Sequence, residues 1–248
     1  MRDPSKRSVL TDLMLVILCV LLFGPAQAQY GTLSGDWPSY GGDTGSTKYS
    51  PLDQINAQNF QKLEVAWTWT SIDGDLDLEA IQQINEAVRI NNFQGTPLKV
   101  GDKLFIITAL NQVAALDPIN GETLWSFNPE VYLSGSPINY IGYHNRGLAY
   151  WTDGENERIL AGLNDGYLLS LDAATGEPDP AFNGGKIDLA EGLPRATRDV
   201  LDWTGAQPLA VVSPPIVVDD IVVTSSITQA RPINRERPPM WVRGYNIV

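Results

Sequence analysis

Cysteine is all but missing from this chain. The single copy among 248 residues, Cys19, lies inside the apolar run "LMLVILCVLLF" at 13–23. If that run is removed, no thiol remains, which excludes disulfides, thiolate metal sites and covalently attached c-type haem. Positive charge is also scarce: 17 Lys and Arg stand against 29 Asp and Glu, for a net charge of −12. So acidic a surface excludes nucleic acid and anionic lipid as expected partners. Long apolar runs are lacking too. The run at 13–23 has 11 residues, against the roughly 20 a membrane-spanning helix needs. It follows the basic start Arg2, Lys6 and Arg7 and precedes the small-residue stretch "AQA" at 26–28. That order predicts a secretory signal, residues 1–28, cut after Ala28; a retained N-terminal anchor is the alternative. Residues 1–28 hold three cations and two anions, so the expected mature chain, 29–248, carries −13. A lipoprotein anchor on Cys19 is not expected, because bulky Leu18 precedes it and the apolar run continues beyond it. An exported, thiol-free chain points to a bacterial periplasm.

What is present is repetition. "AALDPINGETLWSF" at 114–127 is echoed 55 residues later by "LSLDAATGEPDPAF" at 169–182. Each is an alternating strand ending in Leu-Asp, then a bend closed by Gly and Glu, the pattern of a β-hairpin. Asp117 and Asp172 suit the bend because their carboxylates accept from amides two residues on. Gly121 and Gly176 suit its end because they take left-handed backbone angles without strain. A second pair, "TPLKVGDKLFIIT" at 96–108 and "PPIVVDDIVVTSS" at 214–226, repeats strand–turn–strand, with Pro97 and Pro215 118 residues apart. The two spacings agree on a unit of about 50–60 residues holding four short strands, the period of a propeller. Trp125, just after the turn, is expected to pack on the next blade, with Phe182 as a smaller counterpart.

Along the chain, "NAQNFQKL" within 34–71 reads as a short helix and "LEVAWTWT" as a strand. Residues 73–89 read as an acidic surface insertion with helical spacing, and blade strands follow from Phe93. The segments 183–212 and 228–240 read as long loops, the kind that carries function in a compact β protein. "MWVRGYNIV" ends as a strand. About three blades are legible, too few to close a ring, so the chain reads as the front part of a longer protein.

Taken in order, "DWPSYGGDTGSTKYSPLDQINAQNFQKLEVAWTW", "FQGTPLKVGDKLFIITALNQVAALDPINGETLWSF", "NRGLAYW" and "SPPIVVDDIVV" resemble the pyrroloquinoline quinone (PQQ)-dependent dehydrogenases. Among these the chain is most similar to the membrane-type glucose dehydrogenase and related sugar and polyol enzymes. The resemblance implies an all-β, eight-bladed propeller with Trp-docking turns. It also implies a periplasmic oxidoreductase, membrane association left open, that oxidises a sugar, polyol or alcohol. Such an enzyme uses PQQ with Ca²⁺ and passes electrons to ubiquinone or a cytochrome c. The catalytic aspartate of that family is expected beyond Val248.

The same resemblance nominates cofactor residues. Arg146 in "NRGLAYW" matches the arginine used on the cofactor, and a guanidinium fits a carboxylate with two parallel bonds. Gln94 stands where the family has a glutamate, keeping an acceptor but losing the charge. Ser213, Ser225, Ser226 and Thr228 lie where strand ends approach the cofactor. Tyr140 and Ile141 replace the adjacent cysteines of the alcohol-oxidising enzymes and are expected to pack on the quinone. His144, the only histidine, is a further candidate for the pocket mouth. Ala230 stands where a Ca²⁺-binding glutamate is found in the alcohol branch, so no metal ligand is expected in this chain. Two other readings remain open from sequence: a non-catalytic periplasmic propeller scaffold of the outer-membrane assembly type, and an inert truncated product. The scaffold type usually carries a lipobox, which this sequence lacks.

Overall fold

A computed structural model describes residues 32, 35–43, 45–90, 92–138, 142–194, 208–228 and 238–248. The expected signal at 1–28 lies outside them. Gly31–Val248 forms one compact unit.

Among the described residues, two four-stranded antiparallel sheets and a three-stranded one follow each other along the chain. The first is the meander β1 (Leu98–Val100), β2 (Lys103–Ile107), β3 (Val113–Leu116) and β4 (Thr123–Phe127). The second repeats it with β5 (Ala149–Thr152), β6 (Glu157–Gly162), β7 (Tyr167–Asp172) and β8 (Lys186–Asp188). The third holds β9 (Ile216–Val218), β10 (Ile221–Ser225) and β11 (Val242–Asn246), in the order β11-β10-β9. The middle strands are built of small and branched apolar residues buried on both faces, as "VAAL" of β3 is throughout its length. Strands covered on both faces read as continuous apolar runs, because each side chain meets a neighbouring layer. The core joins the blades: Leu110 and Val113 of the first pack in one body with Ile159, Leu163 and Leu171 of the second. Leu160 and Leu168 of the second do the same with Leu209, Val211 and Val222 of the third. This is three blades of a propeller.

The repeated turns share two defining bonds. In the first, Ile119 N–H donates to Asp117 Oδ1 at 2.7 Å and Gly121 N–H to the Asp117 carbonyl at 2.9 Å. In the second, Ala174 N–H donates to Asp172 Oδ1 at 2.9 Å and Gly176 N–H to the Asp172 carbonyl at 2.9 Å. Gly121 and Gly176 have φ of 75° and 76°. Each glycine also leaves a seat for a tryptophan. Trp125 lies over Gly176, where an added Cβ would stand 2.5 Å from the ring, and its Nε1 donates to the Ala173 carbonyl at 3.2 Å. Trp125 thus pins the first blade to the second, as expected.

The same lock occurs once more, outside the two repeated turns. Trp67 covers Gly121 too closely to admit a Cβ, and its Nε1 donates to the Pro118 carbonyl at 3.1 Å. Residues 63–70, expected as a strand, run without belonging to a sheet of the described residues. The signal was in the sequence as "WTW" at 67–69 and "WSF" at 125–127, 58 residues apart. Phe182 is buried against the second and third blades' core rather than shown on a turn.

Other expectations need correction. The helix expected in "NAQNFQKL" is only a 3₁₀ turn at Phe60–Lys62. The segment 73–89 contains helix α1 (Leu78–Ile84), capped by Asp77, but it is not simply a surface insertion. Ile81 and Val88 join the core. Asp73 is fully buried, its carboxylate accepting from Thr108 Oγ1 at 2.7 Å, Gln112 Nε2 at 2.8 Å and Leu110 N–H at 3.1 Å. An acidic run looks like surface in sequence because the donors that satisfy its one buried member lie 35 or more positions away. The stretch 183–212 is not all loop, since β8 completes the second sheet within it. Its residues 195–207 lie outside the described residues, as do 229–237 of the other long loop.

Candidate functional site

The segments that lead into the inner strands of the three blades lie side by side, joined by backbone bonds. Thr96 N–H donates to the Arg146 carbonyl at 2.9 Å, and Arg146 N–H donates to the Val212 carbonyl at 3.1 Å. Ala210 and Ile227 exchange both bonds, at 3.0 and 2.7 Å. Four stretches far apart in sequence are thereby held in one continuous row. Gly147 lets two of them meet, for a Cβ there would stand 3.2 Å from the Thr96 carbonyl and 3.3 Å from Pro214 Cγ.

Most of the nominated residues lie in this row or within two positions of it. Gln94, Arg146, Ser213 and Ser225 are each exposed at its successive members. Ser226 and Thr228 flank Ile227 and are buried, 6% and 8% exposed. His144, two residues before Arg146, is also buried at 3% exposure, its Nδ1 lying 3.0 Å from the Gly142 carbonyl. Tyr140 and Ile141 lie outside the described residues, as does Ala230. The exposed set holds a guanidinium, an amide and two hydroxyls, all hydrogen-bond donors and none anionic. Its chemistry suits a ligand rich in carboxylate and carbonyl oxygens.

The loop before Arg146 is anchored by an unsuspected partner. Asn85, just past α1, donates through Nδ2 to the Tyr132 carbonyl at 2.9 Å and the Gly135 carbonyl at 2.8 Å. The Tyr143 hydroxyl, buried beside them, donates to the Gly135 carbonyl. Burial, aided by the negative Asp165, pushes this phenol well above its ordinary value, with the Asn85 bond opposing. No sequence motif marks Asn85, since its partners lie about 50 residues away. Among the described residues, no group of three or more His, Cys, Asp or Glu could hold a metal ion. None of their helices is long and apolar enough to cross a membrane. A distinct apolar cleft of about 560 Å³ lies between residues 67–71 and the first sheet, lined by Trp67, Trp69, Ile90, Phe93, Leu104 and Leu116.

Comparison with known proteins gives concordant results. Residues 37–248 match the family described as PQQ glucose/ethanol/alcohol dehydrogenase, β-propeller domain. The chain is 32% identical over 242 residues to quinoprotein glucose dehydrogenase A of Acinetobacter calcoaceticus, covering 90% of this chain and 28% of that protein. It is 30% identical over 220 residues to the glycerol dehydrogenase large subunit of Gluconobacter thailandicus, covering 86% of this chain and 27% of that protein. In fold it resembles the crystal structure of quinohemoprotein alcohol dehydrogenase from Comamonas testosteroni, with a TM-score of 0.59 and 23% identity. That match covers 86% of this chain and 25% of that one. The chain spans about a quarter of the length of the curated relatives it matches.

Proposed function

The chain belongs to the PQQ-dependent glucose/ethanol/alcohol dehydrogenase β-propeller family, and on that premise we propose that its row of strand-leading segments is part of a PQQ site. The protein is then a periplasmic oxidoreductase that oxidises a sugar, polyol or alcohol and passes electrons to ubiquinone or a cytochrome. The observation that supports this most is the row itself. Backbone bonds from Thr96 to Arg146 and from Arg146 to Val212 align exposed donors from three blades.

PQQ is a planar ortho-quinone bearing three carboxylates, and when bound it would supply the acceptor for the hydride, which carries both electrons of alcohol oxidation, while the alcohol proton goes to a base. The chain's residues bind and orient it. Arg146 would hold a carboxylate, which a guanidinium can meet with two parallel N–H donors. Ser213 and Ser225 offer hydroxyls, and Gln94 an amide, to the remaining oxygens. Ser226, Thr228 and His144 are buried beside these and act by holding the rim, while Tyr140 and Ile141 are assigned to the ring face from the family pattern alone. Because Gln94 is neutral, it cannot take a proton from the substrate, so proton abstraction is left to a carboxylate other than this position. Among the described residues no group of three or more His, Cys, Asp or Glu offers a ligand set, so the Ca²⁺ that the family pattern implies would take its ligands from outside such groups.

The test is titration of the protein, as its gene encodes it, with PQQ. Removing one side of a desolvated charge-assisted pair costs about 2–5 kcal/mol, or about 30- to 5,000-fold in affinity. Arg146→Ala should therefore lose reconstitution at PQQ levels that saturate the parent, and Arg146→Lys should restore part of it, lacking the planar fork. An Arg146→Ala protein that titrates like its parent removes Arg146 from the site. Export is tested by N-terminal sequencing of secreted protein, which should begin at Gln29.

A further inference from the structure

Asn164 lies in the turn between β6 and β7 and is 6% exposed. Every polar group of its side chain is used on backbone. Its Oδ1 accepts from His144 N–H at 2.9 Å, and its Nδ2 donates to the His144 carbonyl and the Val211 carbonyl, each at 2.9 Å. Its own N–H donates to Asn111 Oδ1 at 2.7 Å, from the corresponding turn of the first blade. One side chain thus ties the second blade's turn to two strand-leading segments. One reaches Arg146 two residues on; the other reaches Ser213 two residues on.

No other residue type meets this demand. The position asks for one acceptor and two donors in a plane, which is the inventory of a carboxamide. Aspartate would keep the acceptor but turn an anion on two carbonyl oxygens. Leucine would leave three buried backbone groups without partners, at a cost for each. Glutamine would carry the amide one methylene too far. Asparagine is disfavoured in strands and favoured in turns, so a turn asparagine draws no notice in sequence. Its function is visible only in what its amide touches.

We infer that Asn164 is a positioning residue of the cofactor site: it clamps the His144 and Val211 backbones so that Arg146 and Ser213 are presented to one ligand. This rests on reading those two residues as PQQ contacts. The clamp matters because affinity built on directed bonds depends on registration, and displacement of about 1 Å can cost on the order of 100-fold.

The experiment is a binding cycle on the protein as encoded. PQQ is titrated by quenching of tryptophan fluorescence, at a temperature where circular dichroism shows every variant folded. Asn164→Ala should weaken PQQ binding by at least about tenfold. The loss should shrink in an Arg146→Ala background, because there is then less to position. A parent-like titration with only a lowered melting temperature overturns the inference and leaves Asn164 a structural residue. So does an equal fold-loss in both backgrounds. If Arg146→Ala weakens binding and Asn164→Ala does not, the clamp fails while the PQQ site stands; if Arg146→Ala titrates like the parent, both fall. Should Asn164→Ala not fold, the near-isosteric Asn164→Asp is read in the same way. If neither folds, the asparagine serves the fold and the positioning role is overturned.

Discussion

Trp125 illustrates how one side chain can secure two blades at once. Its ring lies 6.0 Å from Phe105 of its own sheet, tilted by 45°, and its other side covers Gly176 of the next. The indole N–H finds the Ala173 carbonyl, so burying the ring leaves no donor unsatisfied. Trp125 is half-buried, so Trp125→Ala should cost less than the roughly 3–5 kcal/mol of a fully buried aromatic but more than about 1 kcal/mol, measured as a fall in the urea midpoint with unchanged slope. A cost below about 0.5 kcal/mol, usual at surfaces, would mean that the ring does not pin the blades. Gly176→Ala approaches the lock from the other side. A Cβ there would meet the indole at 2.5 Å, and φ of 76° strains any other residue. Since a substitution at positive φ costs more than the roughly 0.4–1 kcal/mol it returns through the unfolded chain, Gly176→Ala should be destabilising by more than about 1 kcal/mol. Gly101, also at positive φ but with nothing within 4 Å of an added Cβ, is the control. Gly101→Ala should cost less, and equal losses at the two positions would show that backbone strain alone, not the indole, sets the cost.

At the scale of elements, the hairpins were legible because each is specified within a dozen residues. Asp117 to Gly121 and Asp172 to Gly176 carry their own bonding partners, so the turn, its register and its spacing could be read locally. The connection of elements could not. Asp73, Asn85 and Asn164 look like ordinary loop polar residues, and what makes them structural is a set of partners 20 to 58 positions distant. For the same reason, Arg146 and Ser213 could be nominated only through family resemblance, whereas their adjacency is a property of the backbone row. One such long-range anchor has a pH signature. Tyr143, joined to Asn85 and Gly135, is held neutral by burial, so its folded value lies above the ordinary one near 10. A raised phenol contributes stability that is fully present below about pH 10 and is lost as pH rises above it. Tyr150 and Tyr245 are shifted in the same direction, both chiefly by burial. Tyr143→Phe should therefore flatten, without abolishing, the fall of the urea midpoint above pH 10, while lowering the midpoint at pH 7. An alkaline slope identical to the parent's would show that the hydroxyl is not held as described.

At the scale of the whole molecule, the 248-residue chain presents a conflict between charge and apolar surface. Net charge is −12, which repels copies of the chain from one another. Yet β11 is an edge strand among the described residues, and Val242 on it is 72% exposed, next to Trp241 at 47%. Ile216 and Val218 of β9 are 64% and 56% exposed, and Val65, in the stretch that carries the Trp67 lock, is 82% exposed. Exposed edges with apolar side chains are templates for pairing with another chain, and the cleft beside Trp69 adds a further apolar face. Which effect wins depends on screening. At about 0.01 M salt the Debye length is roughly 30 Å, so the negative charge of one copy is felt by the next; at about 0.15 M it falls to roughly 8 Å. The chain should therefore be monomeric at low salt and associate progressively as salt is raised at neutral pH. Sedimentation velocity across a salt series measures this directly, with the dye ANS reporting the apolar surface. Val242→Lys, which places a charge on the exposed edge, should reduce the association without altering the fold seen by circular dichroism. Association that weakened with salt would mean that copies meet through complementary charges, and the apolar edges would then not be the contact.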